Sequence, residues 1–261
     1  MLPTIQVFNK TIAMYGTMIL IGLLVGVAIA ALRGKKYRMK SEDIIFSSCY
    51  GGIGLLIGAK LFYLITVIPE IIRYHHQIIA NFSAFSHLIS GGFVFYGGLI
   101  GAAIGYYIYC RQYHINFGKL LDIITPSIPI MHGFGRIGCF FAGCCYGIKY
   151  DGPLHIIFHN SSVGPNQLSL FPIQLLESCL NFIVGTFLLI YAKPQRRQGK
   201  VLGIYLIYYA VARFILEYLR GDISRGFILG ISTSQWISIV LLPIGILIFF
   251  GSKSSRQSEE K

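Results

Sequence analysis

The stretch IAMYGTMILIGLLVGVAIAAL, residues 12–32, is followed at once by RGKKYRMK, residues 33–40. The first stretch holds no charged residue over a length near the ~20 residues that carry a helix across a bilayer. The second holds five basic residues. An apolar run closed by a block of Lys and Arg is the pattern of a membrane span with its cytoplasmic flank. It has no A-x-A-like cleavage site, so it reads as a retained span and not as a signal peptide.

The same pattern recurs along the chain. Further apolar runs cover Ile44–Ile68, Gly92–Cys110, Leu120–Tyr146, Pro172–Tyr191, Val201–Leu219 and Gln235–Gly251. The run from Leu120 is broken, with Pro126, Pro129 and a cluster of glycines inside it. Composition agrees: 54% of residues are hydrophobic and 12% charged, where a soluble domain carries about 25% charged residues. The predicted fold is an all-α membrane protein, a seven-helix bundle forming a single domain over residues 1–261. The connections 69–91 and 147–171 are the longest, and IIRYHHQII (71–79) in the first has the composition of an interfacial amphipathic helix. No internal repeat is evident, so the inverted-repeat signature of many transporters is missing.

The net charge of +12 suggests nucleic acid at first sight. The basic residues instead sit between apolar runs, as loop anchors do, and form no aromatic-interleaved surface, so no nucleic-acid partner is expected. With seven spans, the five basic residues of 33–40, two of 111–119, four of 192–200 and three after 252 share one side. The other side has Lys10, Arg73, Lys149, Arg220 and Arg225. Positive residues favour the cytoplasm, which puts the N-terminus outside and the C-terminus in the cytoplasm.

Function is sought where charge stays inside the apolar runs, because each such charge costs roughly 2.5–3.5 kcal/mol on insertion scales. The chain keeps Lys60, Arg136, Glu177, Arg213 and Glu217 there. Arg213, Glu217 and Arg220 are spaced i, i+4, i+7, one face of a helix, and the first two are placed to pair. Lys60 and Arg220, near helix ends, have the alternative of reaching to the interface. Arg136 sits in MHGFGRIGCFFAGCCYG, residues 131–147. An arginine beside glycines with reachable amides suits a phosphate group. Packing between helices is the competing reading of the glycines. Cys139, Cys144 and Cys145 lie in the same run, in a C-x4-C-C spacing that matches no standard zinc pattern, so no metal and no cofactor are expected. Tyr15 and Tyr96 put phenols toward the outer halves of their spans, where tyrosine is common.

These segments, in this order, resemble the bacterial prolipoprotein diacylglyceryl transferase family over nearly the whole chain. YGTM (15–18) is similar to the family's Tyr-Gly segment, and GGFVFYGGLIG (91–101) to Gly-Gly-x-x-x-His-Gly-Gly-Leu-x-Gly. GRIGCFFAGCCYG, from Gly135, falls on the signature Gly-Arg-x-Gly-Asn-Phe-x-Asn-x-Glu. Pro172, Gln174, Leu175 and Glu177 echo Pro-Ser-Gln-Leu-Tyr-Glu, ARFILEYLR (212–220) resembles Phe-Arg-x-x-x-Glu-x-x-Arg, and TSQWIS (233–238) the start of the last span.

The resemblance implies transfer of the diacylglyceryl group of phosphatidylglycerol to the lipobox cysteine of a prolipoprotein signal peptide, with glycerol phosphate leaving. It implies Arg136, Arg213, Tyr96 and Glu217 as catalytic residues. For substrate binding it implies Tyr15, Gly97, Gly98, Gly135, Gly138, Cys139, Cys144, Glu177 and Arg220. The family histidine falls on Tyr96, its signature asparagine on Cys139 and its signature acid on Cys144. His132, in the same run as Arg136, is the substitute base that the sequence offers. The alternative readings are a lipid or thiol-compound binder or transporter on the same fold, and a membrane thiol-redox protein using the three cysteines.

Overall fold

The computed structural model describes residues 3–7, 10–73, 91–161, 163–194, 196–222 and 227–251. They form a strand pair β1 (Thr4–Val7) and β2 (Lys10–Ala13), then helices α1 (Met14–Lys36), α2 (Ser41–Arg73), α3 (Phe95–Gln112), α4 (Phe117–Ile124) and α5 (Ser127–Ala142). The pair β3 (Ile156–Ile157) and β4 (Ser169–Leu170) follows, then α6 (Ile173–Tyr191), α7 (Lys200–Leu216), a 3-10 turn (Glu217–Leu219), β5 (Phe227–Ile228), β6 (Ile231–Ser232) and α8 (Thr233–Phe250). Each strand pair is antiparallel.

Five helices are long and apolar enough to cross a membrane: Met14–Lys36, Ser41–Arg73, Ile173–Tyr191, Lys200–Leu219 and Thr233–Phe250. The chain is an integral membrane protein. The other two expected spans take different forms. Helix α3 is rich in glycine and tyrosine and carries Arg111 in its last turn. The broken run divides into α4 and α5 at Thr125–Pro126, because proline has no N–H to continue the ladder of α4. Of the interfacial helix expected over 71–79, Ile71–Arg73 end α2 and the rest lies outside the described residues, as do Arg225 and the basic residues after 252.

The chain divides into two compact units, Met39–Phe117 and the remainder. In the first, α2 packs on α3. A Cβ on Gly54, Gly58, Gly97, Gly101 or Gly105 would run into backbone of the facing helix. Small residues let two helix backbones touch where apolar burial gives no drive in lipid. Lys60 in α2 donates to the Gly91 carbonyl (2.8 Å) and lies over the rings of Tyr63 and Phe93.

In the second unit, α1 packs on α5, α5 on α6, and α7 on α8. An apolar cluster of Val184, Leu188, Ala192, Val201 and Tyr205 joins α6 to α7. Near it, Asp122 in α4 is 5% exposed. Its carboxylate accepts from the backbone N–H groups of Gly199 (2.8 Å) and Leu202 (3.4 Å). These are orphan donors at the start of α7, so Asp122 caps that helix from another element. Arg33 of α1 donates to the carbonyls of Asp122 and Ile123. The Tyr37 hydroxyl donates to the Ala192 carbonyl.

Candidate functional site

The charges expected inside the spans meet in the second unit, around one carboxylate. Glu177, in the first turns of α6, is 3% exposed. Its Oε2 pairs with Arg136 Nε from α5. Its Oε1 lies 3.4 Å from Arg220 Nη1 and 3.8 Å from Arg213 Nη1. Three guanidinium groups from three segments thus surround one acid. Each has a further partner. Arg136 Nε lies 3.2 Å from His132 Nε2, one helical turn back. Arg213 Nη2 lies 2.6 Å from Glu217 Oε2 and donates to Ser234 Oγ at 2.8 Å. Arg220 binds both oxygens of Asp222 at 3.0 Å.

Arg213 and Glu217 pair at i, i+4 as expected. Arg220 departs from both readings of its position. Helix α7 ends at Leu216, Glu217–Leu219 wind as a 3-10 turn, and Arg220 itself is extended (φ −92°, ψ 136°). It therefore does not continue the helical face. Nor does it reach for an interface, since its side chain is 2% exposed between Glu177 and Asp222. The cause is backbone pairing: Gly147 and Arg220 form an antiparallel bridge, Ile148 N–H donates to the Leu219 carbonyl, and Gly221 N–H to the Tyr146 carbonyl. Burial raises the Asp222 carboxyl above the ordinary aspartate range, and Arg220 opposes that shift.

A small pocket opens beside this knot. His132, Arg136, Glu177, Asn181, Tyr208, Tyr209 and Arg213 line it together with apolar side chains. Arg213 Nη1 is buried there and makes no hydrogen bond among the described residues, its ion-pair contact with Glu177 being long. A buried donor without an acceptor costs about 1–3 kcal/mol. An anion entering the pocket would remove that cost.

The glycines of the 131–147 run have different tasks. A Cβ on Gly133 would meet the Phe182 ring at 2.8 Å, and one on Gly138 the Tyr15 carbonyl at 3.2 Å. Those two glycines serve packing, and Gly138 brings α1 and Tyr15 against α5. Gly135 faces open space. Gly143, with φ 71°, ends α5 in the left-handed region that favours glycine. The turn after it carries Cys144 and Cys145 back toward Cys139, and the three sulfurs lie within 4.8 Å of one another.

Arg136, Arg213, Glu217, Glu177 and Arg220 are thus brought together, with Tyr15, Gly135, Gly138, Cys139 and Cys144 on the adjoining elements. Tyr96, Gly97 and Gly98 belong to the first unit, at the start of α3, where the two glycines are buried against α2 and Tyr96 meets Phe95 edge to face. Several partners escaped the reading of the sequence, Asp222 among them. Asn181 left a signal, a lone amide in an apolar run, and it donates to the Glu177 carbonyl. Ser234 sits in the first turn of α8, placed by the Ser232–Gln235 capping box. Tyr208 and Tyr209 look like ordinary aromatic residues of a span.

The family model for prolipoprotein diacylglyceryl transferase matches residues 3–251. The phosphatidylglycerol–prolipoprotein diacylglyceryl transferase of Clostridium tetani is 40% identical over 245 residues, 94% of each chain. A second such enzyme, from Clostridium perfringens, is 33% identical over 254 residues, 97% of this chain and 96% of its own. A third, from Streptococcus uberis, is 32% identical over 247 residues, 93% of this chain and 92% of its own.

Proposed function

The chain belongs to the prolipoprotein diacylglyceryl transferase family, and from that premise we propose that it moves the diacylglyceryl group of phosphatidylglycerol onto the lipobox cysteine of prolipoprotein signal peptides. The sulfur forms a bond to the glyceryl carbon. The carbon–oxygen bond to phosphate breaks, its electron pair goes to the phosphate oxygen, and glycerol phosphate leaves. Such a displacement needs a thiolate and positive groups at the departing phosphate.

The observation that supports this reading best is the buried Nη1 of Arg213, which makes no hydrogen bond among the described residues and only a long ion-pair contact with Glu177, in a pocket that Arg136 also lines. In the proposal, Arg136 and Arg213 bind the phosphate, Glu217 orients Arg213, and Glu177 and Arg220 hold the cluster in register. Tyr15, Gly135, Gly138, Cys139 and Cys144 face substrate. Tyr96, with Gly97 and Gly98, contacts the donor lipid and assists the thiol, roles carried over from the family motif alone. The chain acts as one domain of seven spans in the bacterial plasma membrane, α3 and the α4–α5 pair completing the five long helices. Its N-terminus lies outside and its C-terminus inside.

The test is transfer of radiolabelled glyceryl lipid from phosphatidylglycerol to a lipobox peptide by the purified protein in nanodiscs. The folded protein should transfer label, and Arg136→Lys should lose most of it while inserting and accumulating normally, because lysine cannot make planar two-point contact with phosphate. No transfer by the folded protein would sink the proposal in favour of a lipid or thiol-compound binder. Labelling of residues 33–40 and 192–200 from the cytoplasmic side checks the topology; finding 192–200 outside would overturn the span count.

A further inference from the structure

Three cysteine side chains stand together where the family signature carries an amide and an acid. Cys139 is in the last turn of α5, and Cys144 and Cys145 follow the reversal at Gly143. The backbone holding them is fixed from several sides. Cys144 N–H donates to the Cys139 carbonyl at 3.1 Å, and Gly143 N–H to the Phe140 carbonyl at 3.2 Å. Cys145 takes a left-handed conformation, φ 55°, which few non-glycine residues adopt. The fully buried Gln174 donates to the Cys144 carbonyl at 2.9 Å, and the Tyr146 carbonyl accepts from Gly221 N–H. A turn built for packing alone has no need to bring three sulfurs within 4.8 Å.

We propose that Cys139, Cys144 and Cys145 form a three-thiolate site for a thiophilic cation such as Zn²⁺, with a fourth position left open for the acceptor thiolate. Zinc–sulfur bonds of about 2.3 Å put sulfurs on one ion about 3.8 Å apart, within a small side-chain rotation of the present spacing. Thiolate ligands select Zn²⁺ or Cu(I) over harder cations. Three protein ligands with one open position is the arrangement of a reactive site, not of a closed structural one. Arg136 and Arg220 lie within electrostatic reach of Cys145 and offset the negative charge of a thiolate cluster.

The ion binds as the three thiols release their protons. The open position then takes the acceptor cysteine as thiolate, its proton passing to water, since a coordinated thiol is deprotonated outright. That second half rests on the proposed transferase function. The thiolate then attacks the glyceryl carbon, and the electron pair of the broken carbon–oxygen bond leaves with the phosphate held by Arg136 and Arg213. The C-x4-C-C spacing hides such a site, because only the left-handed turn brings the sulfurs together.

The test uses the full chain in detergent, reduced, freed of metal with a chelator and kept anaerobic. Co²⁺ should bind at one equivalent and show a thiolate charge-transfer band that Zn²⁺ abolishes. Cys139→Ser, Cys144→Ser and Cys145→Ser should each weaken Zn²⁺ binding roughly tenfold or more, and Cys179→Ser should not. A lipobox cysteine peptide should raise the cobalt band by about a third, as three thiolates become four, where its serine analogue leaves it unchanged. Zn²⁺ should also slow alkylation of Cys144 and Cys145 in the unmodified chain by roughly tenfold, a readout that survives poor folding of the serine variants. Metal binding with no lipid transfer would remove the transferase reading and leave the cation site standing. Undiminished transfer by the chelated protein and by Cys144→Ser would remove the catalytic ion and leave the transferase. No protection of the thiols, or a disulfide among them in the reduced and metal-treated protein, overturns the site itself.

Discussion

Asp122 and Glu177 are both buried carboxylates in the same unit, 5% and 3% exposed, and the chain treats them in opposite ways. Asp122 is bound by backbone N–H groups at the start of α7. Those donors cannot leave without unwinding a helix. Glu177 is bound by three arginine side chains, two of them at 3.4 and 3.8 Å, and lines a pocket. Guanidinium groups on long stems can exchange one anion for another with little backbone movement. A carboxylate held by amides fixes a fold; one held by arginines keeps positive charge available.

The sharpest attempt to break this contrast is Glu177→Gln. Three buried guanidinium groups would lose their shared counter-charge, and breaking a buried pair from one side costs about 3–5 kcal/mol. The outcome expected in the nanodisc assay is a fall in lipid transfer of roughly a hundredfold, about 2.7 kcal/mol in transition-state terms, with reduced thermal stability. Transfer within threefold of the unmodified chain would make Glu177 a mere packing group, no different from Asp122.

Smaller effects are expected one step out. Glu217 touches Arg213 and no other arginine in the described residues, so Glu217→Gln frees that guanidinium without removing it. Turnover should fall by about tenfold, one lost charge-assisted bond of about 1.5–3 kcal/mol being partly replaced by Ser234 and water. Arg213→Ala should fall further, because the donor itself is gone. The two are told apart from a structural pair by measuring activity per folded molecule: a lower yield at unchanged specific activity would assign Arg213 and Glu217 to the scaffold.

These contrasts show how much the sequence carries. The apolar runs and basic flanks outline the helices, since span length and loop charge are local properties. The Arg213–Glu217 pair is legible for the same reason, being one helical turn apart. Glu177 with Arg136 is not, because the partners come from different helices and no spacing records it. Arg220 misleads, since its helical register ends four residues too early for it to stay on the face of Arg213. The C-x4-C-C string offers the three cysteines as a group but not the meeting of their sulfurs, which depends on positive φ at Gly143 and Cys145. Asp122 draws no attention in sequence, with its carboxylate donors 77 and 80 residues away on the backbone.

The smallest effect on chemistry is expected at Asp122 itself. Asp122→Asn keeps the shape and one acceptor oxygen but turns an amide NH₂ toward the start of α7, where only donors wait. It also removes a negative charge from the positive end of the helix dipole, worth about 0.3–1 kcal/mol and up to about 2 kcal/mol when partly buried. One displaced backbone N–H adds a penalty of about 1 kcal/mol. Stability should therefore fall by about 1–3 kcal/mol, seen as a lower midpoint of thermal unfolding in detergent, while transfer per folded molecule stays within about twofold. The proposed phosphate site does not include this carboxylate, so KM for phosphatidylglycerol should not move. If Asp122→Asn instead removes transfer at normal stability, the division between an amide-held scaffold carboxylate and an arginine-held working one is wrong, and the start of α7 belongs to the site.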